Sequence, residues 1–306
     1  HDWPAMIAIG EETRYIGDAL AIVAAKTKKI ARQAVQMIRL EYEELPPVLS
    51  PQASMAADSP NLHPDGNILS KVEFSRGNVQ QAIAGASHVV TRSYQTPPTE
   101  HAFLEPESAL AVPAADGRMT VYIASQSVYD DFHGIAATLG LPESQVRVVS
   151  KLVGGAFGGK EDLSVQHHAA LLAQKTGKPV KLTLSRQESI RVHPKRHAME
   201  ISLTTACDRD GKLVAMKARI VADTGAYASL GGPVVQRACT HVSGPYAIPN
   251  IEISGVAVYT NNPPAGAFRG FGVPQATFAS EMNLNLLADL TGLSPWEIRY
   301  RNALEP

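Results

Sequence analysis

The sequence predicts an α+β fold with mixed sheets and packed helices. Stretches with apolar residues at helical spacing alternate along the chain with short runs of β-branched residues. Residues 199–206 and 213–221 alternate between apolar and polar positions on either side of an Asp-Arg-Asp-Gly segment, which predicts a β-hairpin. Hydrophobic residues make up 44% of the 306 residues, which is enough to build a sizeable core.

The first part of the chain, residues 1–55, reads as the C-terminal part of a smaller α/β domain. An apolar run at 19–24 predicts a buried strand, and apolar residues at helical spacing predict a helix over 26–40. Residues 41–45 predict a second strand, closed by two prolines. This segment therefore predicts one strand–helix–strand unit.

A stretch rich in proline, serine, asparagine and aspartate follows this unit, and it predicts a linker over 56–75. The remainder, 76–306, reads as the main domain. In addition to the hairpin, its patterns predict helices over 78–84, 128–139 and 162–176 and strands over 88–95, 120–124, 145–150 and 180–184. Gly140 and Gly177 are expected to end two of these helices.

Composition excludes several classes of function. With 28 Lys and Arg against 29 Asp and Glu, the chain lacks the basic excess of proteins that bind nucleic acids or anionic membranes. It also has no apolar run long enough to span a bilayer. Cys207 and Cys239 are too few for a disulfide scaffold and suggest a reducing, cytoplasmic location. The adjacent His167 and His168 do not have metal-site spacing, so no zinc or iron–sulfur site is expected in this chain.

The glycine-rich segment 154–161 (GGAFGGKE) is the strongest chemical signal in the chain. It follows a predicted strand and precedes a predicted helix, an arrangement in which backbone N–H groups bind phosphate. A P-loop fits the spacing of Gly154, Gly159 and Lys160, but Glu161 stands where Mg²⁺ binding needs a hydroxyl. A turn that only packs a helix on a strand is a further interpretation.

This loop resembles the molybdopterin-contacting loop of the xanthine dehydrogenase and aldehyde oxidase family of molybdenum hydroxylases. Further segments resemble the family in the same order: 99–106 (TEHAFLEP), 124–127 (ASQS), 235–238 (VQRA), 246–250 (YAIPN) and 261–272 (NNPPAGAFRGFG). The resemblance covers essentially the whole chain. It implies a partial molybdenum-binding subunit, in which the first molybdopterin-binding domain follows the tail of a smaller α/β domain.

The resemblance also implies the cofactor and its contacts. The cofactor is molybdopterin with molybdenum, in bacteria often as the cytosine dinucleotide. Gln126 matches a glutamine whose side-chain amide donates a hydrogen bond to the apical oxo ligand of the metal. Gly155, Phe157, Gly158 and Arg269 match further positions that contact the cofactor, and no residue of this chain is implied as a protein ligand of the metal.

Three matched positions bear on the substrate. Glu161 and Arg237 match the residues with which purine-oxidising members bind the heterocycle and stabilise developing charge, so both are predicted to act in catalysis and substrate binding. Phe271 matches a phenylalanine that packs on a flat substrate. The resemblance therefore implies hydroxylation of a purine-like N-heterocycle with oxygen from water. A nicotinate-type or aldehyde-type hydroxylase and a non-catalytic cofactor-binding fragment are the alternatives.

Some parts of such an enzyme have no match here. The family's general base is a glutamate near the C-terminal end of a much longer subunit, and no residue of this chain fits it. The abrupt ends of the chain also suggest a part of something larger. The implied partners are the remaining half of the molybdenum subunit and subunits or domains with iron–sulfur clusters and FAD. We therefore expect this chain to be inactive by itself.

Overall fold

In the computed structural model, which describes residues 2–305, the larger of two sheets has five strands in the order β1-β9-β8-β7-β2. These strands are β1 (Ile68–Arg76), β2 (His88–Thr96), β7 (Ala198–Cys207), β8 (Leu213–Gly225) and β9 (Asn250–Tyr259). β8 and β9 are parallel, and the other neighbours are antiparallel. β7 and β8 form the predicted hairpin, and the predicted α+β class is confirmed.

Two helices cover one face of this sheet. They are α7 (Gly231–His241), which connects the parallel strands β8 and β9, and α8 (Val273–Thr291). Alternate residues of the strands point into the core, as Leu203 and Ile220 show, and they meet Val235 and Leu284 from the helices. These side chains are at most 1% exposed, and complete burial of such a side chain contributes about 1.5–3 kcal/mol.

The smaller sheet has four strands in the order β5-β4-β3-β6. They are β3 (Ser108–Pro113), β4 (Met119–Ile123), β5 (Val146–Ser150) and β6 (Val180–Thr183). Helix α4 (Val128–Leu139) connects the parallel strands β4 and β5, and α5 (Gln166–Thr176) packs beside it. Val121, Ile135 and Ala169 are fully buried between sheet and helices. As predicted, Gly140 and Gly177 end α4 and α5 in the left-handed conformation.

The remaining helices are short. They are α1 (Lys28–Gln36), α2 (Pro51–Ser54), α3 (Val79–Ala84), α6 (Arg186–Val192) and α9 (Pro295–Asn302), with a 3-10 turn at Glu143–Gln145. Ser185 and Ser294 begin α6 and α9 with capping boxes, which satisfy N–H groups that the helix leaves free. Among residues 2–305, no helix is long and apolar enough to cross a membrane.

The predicted strands at 19–24 and 41–45 do not form, although a helix lies between them at α1. A strand needs a neighbour that accepts and donates its backbone hydrogen bonds along its length. In residues 2–305, the 19–24 segment has one such bond, from the Ile7 N–H to the Ala19 carbonyl, and neither segment joins a sheet. Leu20 is 40% exposed and Tyr42 is 78% exposed, so neither segment has the burial that its apolar sequence predicted. The helix α1 buries no residue either.

The predicted linker over 56–75 also needs correction, because β1 begins at Ile68. Phe74 in β1 lies opposite Ile253 in β9, which is almost 180 residues later in the chain. Composition around 56–75 gives no sign of this partner, so the strand could not be recognised locally. The division of the chain near residue 55 stays a prediction.

Residues 2–18 are attached to the loop after β8. Trp3 stacks on Tyr227 with ring centroids 5.2 Å apart, and the Tyr227 hydroxyl donates to Asp18 at 2.9 Å. Tyr15 is buried against the same ring and donates to the carbonyl of Val192 at 2.9 Å. The N-terminal segment thus contacts the elements that surround the glycine-rich loop.

Candidate functional site

The glycine-rich segment 154–161 forms a loop between β5 and α5. α5 was predicted to begin near residue 162, but it begins at Gln166. The Gln166 side chain accepts hydrogen bonds from the backbone N–H groups of Ser164 and Val165, both at 2.9 Å, and holds these residues outside the helix. The predicted junction of loop and helix N-terminus is therefore wrong, and the loop must bind any anion through its own backbone.

The backbone of this loop is irregular and leaves several N–H groups without a protein partner. Gly155 and Gly158 have φ values of +89° and +104°, and Phe157 has a φ of +56°. Within residues 2–305, the backbone N–H groups of Gly155, Ala156 and Phe157 donate to no protein acceptor. Consecutive free N–H groups in such a turn form a concave site for an anion or an oxygen ligand.

Gln126, at the end of β4, is bound to this loop. Its Oε1 accepts hydrogen bonds from the N–H of Gly158 at 2.9 Å and of Lys160 at 3.3 Å. Its own backbone N–H donates to the carbonyl of Lys160 at 2.9 Å. Because two donors face the same side-chain atom, that atom is the oxygen, and the Nε2 group has no partner in the described chain. The residue is exposed and therefore presents a fixed, neutral donor.

The segment 267–272 (AFRGFG) lies against the loop from the other side. The Arg269 N–H donates to the carbonyl of Phe157 at 2.9 Å, while the residue itself is exposed. A Cβ on Gly158 would lie only 2.7 Å from the carbonyl oxygen of Ala267. Phe271 is half-buried, with a φ of +50°. The structure thus brings together the cofactor residues that the resemblance implied on separate motifs.

Lys160 has a different role from the lysine of a P-loop. Its ammonium group is buried, lies 3.0 Å from a carboxylate oxygen of Glu105 and sits 4.7 Å from the centre of the Phe103 ring. Glu105 also accepts from the N–H of Gly154 at 2.7 Å. The lysine charge is therefore used to anchor the loop, and it does not point to nucleotide phosphates.

Glu161 is half-buried beside other acids. Burial raises the pKa of this carboxyl above its usual value, and the charges of Asp162 and Asp130 raise it further. Within residues 2–305, Glu161 accepts no hydrogen bond and belongs to no ion pair. A carboxyl group with a raised pKa can hold a proton more readily, so it can both donate to and accept from a heterocycle.

Arg237 is exposed on α7. This helix packs against the 267–272 segment, since a Cβ on Gly272 would lie 3.2 Å from the Cβ of Ala238. In the described chain Arg237 and Glu161 do not form an ion pair with each other. The structure therefore places the helix of Arg237 beside the 267–272 segment but does not join Arg237 to Glu161, and their joint role stays a prediction.

Non-glycine residues with positive φ cluster around these loops. They are Ala102, Phe157, Ser229 and Phe271. Such a conformation costs about 1–3 kcal/mol, and it persists only where the surroundings enforce it. Ser229 is held by a hydrogen bond of 2.7 Å from its hydroxyl to Asp162. This concentration of backbone strain is an independent sign of a functional site.

A buried carboxyl group in α4 gives a prediction. Asp131 in α4 is fully buried and accepts from the Nε2 of Gln166 at 2.6 Å; burial raises its pKa to about 6. Folding therefore opposes its ionisation, and this penalty is small at pH 4 and fully present at pH 7. Asp131→Asn should gain stability relative to the wild type as pH rises from 4 to 7. The gain should approach about 2 kcal/mol, measured by urea unfolding.

A control variant at Asp116 should change in stability with pH in the opposite direction. The exposed Asp116 is hydrogen-bonded to Arg118, which lowers its pKa. The variant Asp116→Asn should therefore lose stability relative to the wild type over the acidic range as the pH rises. A difference for Asp131→Asn that does not change with pH would show that Asp131 is not ionised at a cost in the fold.

Comparison with known proteins identifies the family of this chain. The sequence profile described as "Molybdopterin cofactor-binding domain" matches residues 62–303, which is most of the chain. The chain belongs to this family. The resemblance to the molybdopterin-binding subunits of molybdenum hydroxylases is thereby confirmed.

Similar proteins agree with this assignment. The chain is 44% identical to a probable xanthine dehydrogenase subunit of Bacillus subtilis, over 97% of this chain and 40% of that protein. It is 42% identical to the nicotinate dehydrogenase large molybdopterin subunit of Eubacterium barkeri, over 96% of this chain and 69% of that one. Aldehyde oxidoreductase from Desulfovibrio gigas has a similar structure, with a TM-score of 0.89 and 32% identity over 92% of this chain and 31% of that protein. The chain thus spans well under half of two of these proteins.

The residues of this molybdopterin-binding domain fit such a cofactor. A cradle forms between Gly158 and Ala267, where any side chain on the glycine would collide with backbone. Free N–H groups at 155–157 and the Nε2 of Gln126 are neutral donors, and they suit the oxygen atoms of a metal–oxo group or a phosphate.

Some residues of the site had no predicted role. Glu100 and His101 lie in the 99–106 segment that resembles the family, and a histidine beside a glutamate there was a usable signal. His193 and Arg196 lie in a segment without any motif. Only the fold brings these four residues to the 267–272 segment.

Proposed function

We propose that this chain forms one side of the molybdenum site in a hydroxylase that acts on a purine-like N-heterocycle and takes oxygen from water. The supporting observation is the fixed orientation of Gln126, whose Oε1 binds two loop N–H groups and whose Nε2 is left as a donor. When bound, the molybdenum cofactor would supply the oxygen transfer and accept two electrons. Residues of this chain would hold it.

The binding roles follow from the geometry of the donors. The N–H groups of Gly155 and Phe157 would donate to oxygen atoms of the cofactor, and Gln126 to an oxo ligand. A neutral amide suits the last role, because a carboxylate would repel an oxygen that bears negative charge. Arg269 would contribute its backbone, since its N–H already joins the two loops.

The substrate roles follow from charge and shape. The half-buried Phe271 offers an aromatic face on which a flat heterocycle can pack. The guanidinium of Arg237 is exposed and would present a planar set of donors to a ring oxygen, where negative charge develops. Glu161, with its raised pKa, would hydrogen-bond a ring nitrogen. Together these groups favour a heterocycle over an aliphatic aldehyde.

A nicotinate-type substrate is the second candidate, and the exposed guanidinium of Arg237 is the observation that favours it. An arginine binds a carboxylate through two parallel hydrogen bonds, so the same residue suits nicotinate as well as a purine oxygen. The relative from Eubacterium barkeri, named a nicotinate dehydrogenase subunit, is almost as similar to this chain as the xanthine dehydrogenase relative from Bacillus subtilis.

We also propose partners and a location for the complete enzyme. The cofactor, as its cytosine dinucleotide, would be held jointly with the remaining half of the molybdenum subunit, and electrons would pass to iron–sulfur and FAD-containing partners. The similarity to proteins named as subunits supports such an assembly. Cys207 and Cys239 are buried free thiols, which agrees with a reducing cytoplasm.

Arg237→Ala tests the substrate in the molybdenum enzyme assembled with this chain. A hydrogen bond to a charged group is worth about 1.5–3 kcal/mol, so kcat/KM for the true heterocycle should fall about 10- to 150-fold. Turnover of benzaldehyde should change less than threefold, because an aldehyde has no group for this arginine. Steady-state rates with xanthine, nicotinate and benzaldehyde measure the effect.

Arg219→Ala is the matched control, because this arginine is also exposed but lies on β8 of the larger sheet. It should leave all three rates unchanged. The largest loss on xanthine or on nicotinate would identify the substrate class. An equal loss on benzaldehyde would contradict the proposed role of Arg237.

A further inference from the structure

We infer that His101 and Arg196 are positioning residues that hold the segment 264–272 in its cofactor-facing conformation before any cofactor binds. The inference rests on the proposed function only in that this segment faces the cofactor. Neither residue has a predicted role, and neither lies in the glycine-rich loop. Both contact the segment directly.

Phe268 is clamped between these two side chains. The His101 ring stacks on it with centroids 4.2 Å apart and planes at 24°, and the Arg196 guanidinium carbon lies 3.9 Å from the ring centroid. Two flat groups at such distances cannot share one face of a phenyl ring, so they cover opposite faces. Cation–π contacts with arginine are worth about 0.5–2 kcal/mol. The clamp therefore fixes the aromatic residue next to Arg269.

The same side chains bind the backbone on both sides of Phe268. His101 Nε2 donates to the carbonyl of Ala267 at 2.8 Å, and Arg196 Nη2 donates to the carbonyl of Arg269 at 2.9 Å. These two carbonyls flank the residue that the clamp holds. Three successive residues of the segment are thus fixed by side chains from elsewhere in the chain.

The backbone of Lys195, next to Arg196, is also hydrogen-bonded to the segment 264–272. The N–H of Lys195 donates to the carbonyl of Pro264 at 2.8 Å, and the N–H of Gly266 donates to the carbonyl of Lys195 at 2.9 Å. These bonds form a short parallel bridge between Lys195 and Ala265. The segment therefore cannot shift without displacing the chain at 195–196.

His101 also touches the glycine-rich loop. A Cβ on Gly159 would lie 2.9 Å from Cγ of the imidazole, so the loop packs directly on this ring. Burial lowers the pKa of His101 to about 4, which keeps the ring neutral near pH 7. The neutral tautomer with a proton on Nε2 is the one that donates to Ala267. One uncharged ring thus sets the distance between the loop and the 264–272 segment.

A buried charged network supports both positioning residues. His193 lies 2.7 Å from Glu100 and 3.0 Å from Glu107, and the ammonium of Lys195 lies 2.9 Å from the other oxygen of Glu100. Burial would raise the pKa of Glu107, but its interactions with His193 and Ser189 together outweigh this and lower it. Both ring nitrogens of His193 face a carboxylate, and the Lys195 ammonium group lies beside Glu100.

The Lys195 ammonium group disfavours a divalent ion at this place. Glu100, His101 and His193 offer ligand atoms within 4.8 Å of one another. However, both nitrogens of His193 already lie beside carboxylates, and Lys195 provides a cation beside Glu100. A divalent ion bound there would lie next to this ammonium group.

Hydrogen exchange of the full chain tests the inference. His101→Phe keeps an aromatic ring but removes the donor, whereas His101→Gln places an amide N–H near the position of Nε2. A lost hydrogen bond is worth about 1 kcal/mol, and with poorer packing the amides of Gly266, Arg269 and Phe271 should exchange about tenfold faster in His101→Phe. In His101→Gln they should stay within about threefold of the wild type.

Arg196→Lys provides a second variant, at a half-buried position. It keeps the charge but loses the planar stack, so the same amides should again exchange faster. Amides of the central strand β8, such as Ile220, should be unaffected in all three variants. In the assembled enzyme, molybdenum content should fall with the same ranking, His101→Phe below His101→Gln.

Three results would overturn the inference. Equal exchange in His101→Phe and His101→Gln would reduce His101 to a packing residue, as would faster exchange throughout the core. Binding of one Zn²⁺ per chain that His101→Gln abolishes would show a metal centre instead. If the amides respond as expected but even the wild-type enzyme binds no molybdenum, the proposed function fails while the positioning of the segment stands.

Discussion

Replacing Gly158 with alanine should abolish molybdenum binding in the enzyme assembled with this chain. The new Cβ would lie 2.7 Å from the carbonyl oxygen of Ala267 and 3.0 Å from Cα of Phe268. Both are backbone atoms that cannot rotate away, and the φ of +104° disfavours any side chain. The loop and the 267–272 segment would be forced apart, which breaks the bond from Arg269 to Phe157.

Gly117→Ala is a matched control for backbone strain. Gly117 has a φ of +86° in the turn between β3 and β4, and a Cβ there would have no neighbour within 4 Å. Both variants should lose about 1–3 kcal/mol of stability from strain alone. Only Gly158→Ala should lose molybdenum and pterin, by more than tenfold per mole of protein in metal and fluorescence analysis. Full cofactor in Gly158→Ala would show that the cradle is not where we place it.

Gln126→Glu should lower kcat by about a thousandfold without disturbing the loop. The carboxylate can still accept from the N–H groups of Gly158 and Lys160, so the anchoring function of Oε1 is retained. The Nε2 donor is replaced by a charged oxygen, which would repel an oxo ligand. Loss of one preorganised donor costs about 10²–10³-fold, and the added charge increases the loss. Steady-state kinetics at equal molybdenum content measure it.

Comparison with Gln126→Ala separates the two roles of this residue. If Gln126 only anchored the loop, the glutamate variant would behave like the wild type and the alanine variant would be impaired. If it donates to the cofactor, as proposed, the glutamate variant should be at least as slow as the alanine variant. A nearly normal rate in Gln126→Glu would therefore contradict the proposed donor role.

After residue 76, local patterns predicted the helices α3, α4 and α5 and six of the strands, but not β3, β9 or the helices α6 to α9. The hairpin of β7 and β8, the helix α4 with Gly140 at its end, and the helix α3 all lie close to their predicted bounds. In each of these cases the signal and the contacts that stabilise the element are close together in the chain. Periodicity and capping residues are sufficient there.

Predictions failed where an element depends on a distant partner. β1 forms because β9 pairs with it, and the start of α5 is delayed because the Gln166 side chain binds the preceding backbone. The apolar runs at 19–24 and 41–45 have strand-like composition but join no sheet in the described chain. Composition alone does not distinguish an apolar run with a partner from one without.

The residues of the candidate site divide in the same way. Gln126, Gly158 and Arg269 were predicted from separate motifs, and the structure joins them through hydrogen bonds. Glu161 and Arg237 were predicted as a pair, but they lie on different elements without contact in residues 2–305, and their shared substrate stays a prediction.

The sequence by itself determined the family, through the order of its motifs. Tertiary structure alone decided that Oε1 of Gln126 binds the loop and leaves Nε2 free, and that His101 and Arg196 clamp Phe268. The physical reason is how far apart in the chain the interacting groups lie. Backbone conformation and capping depend on neighbours in the chain, whereas an amide orientation, an aromatic clamp or a charge network depends on groups that only folding brings within about 4 Å of one another.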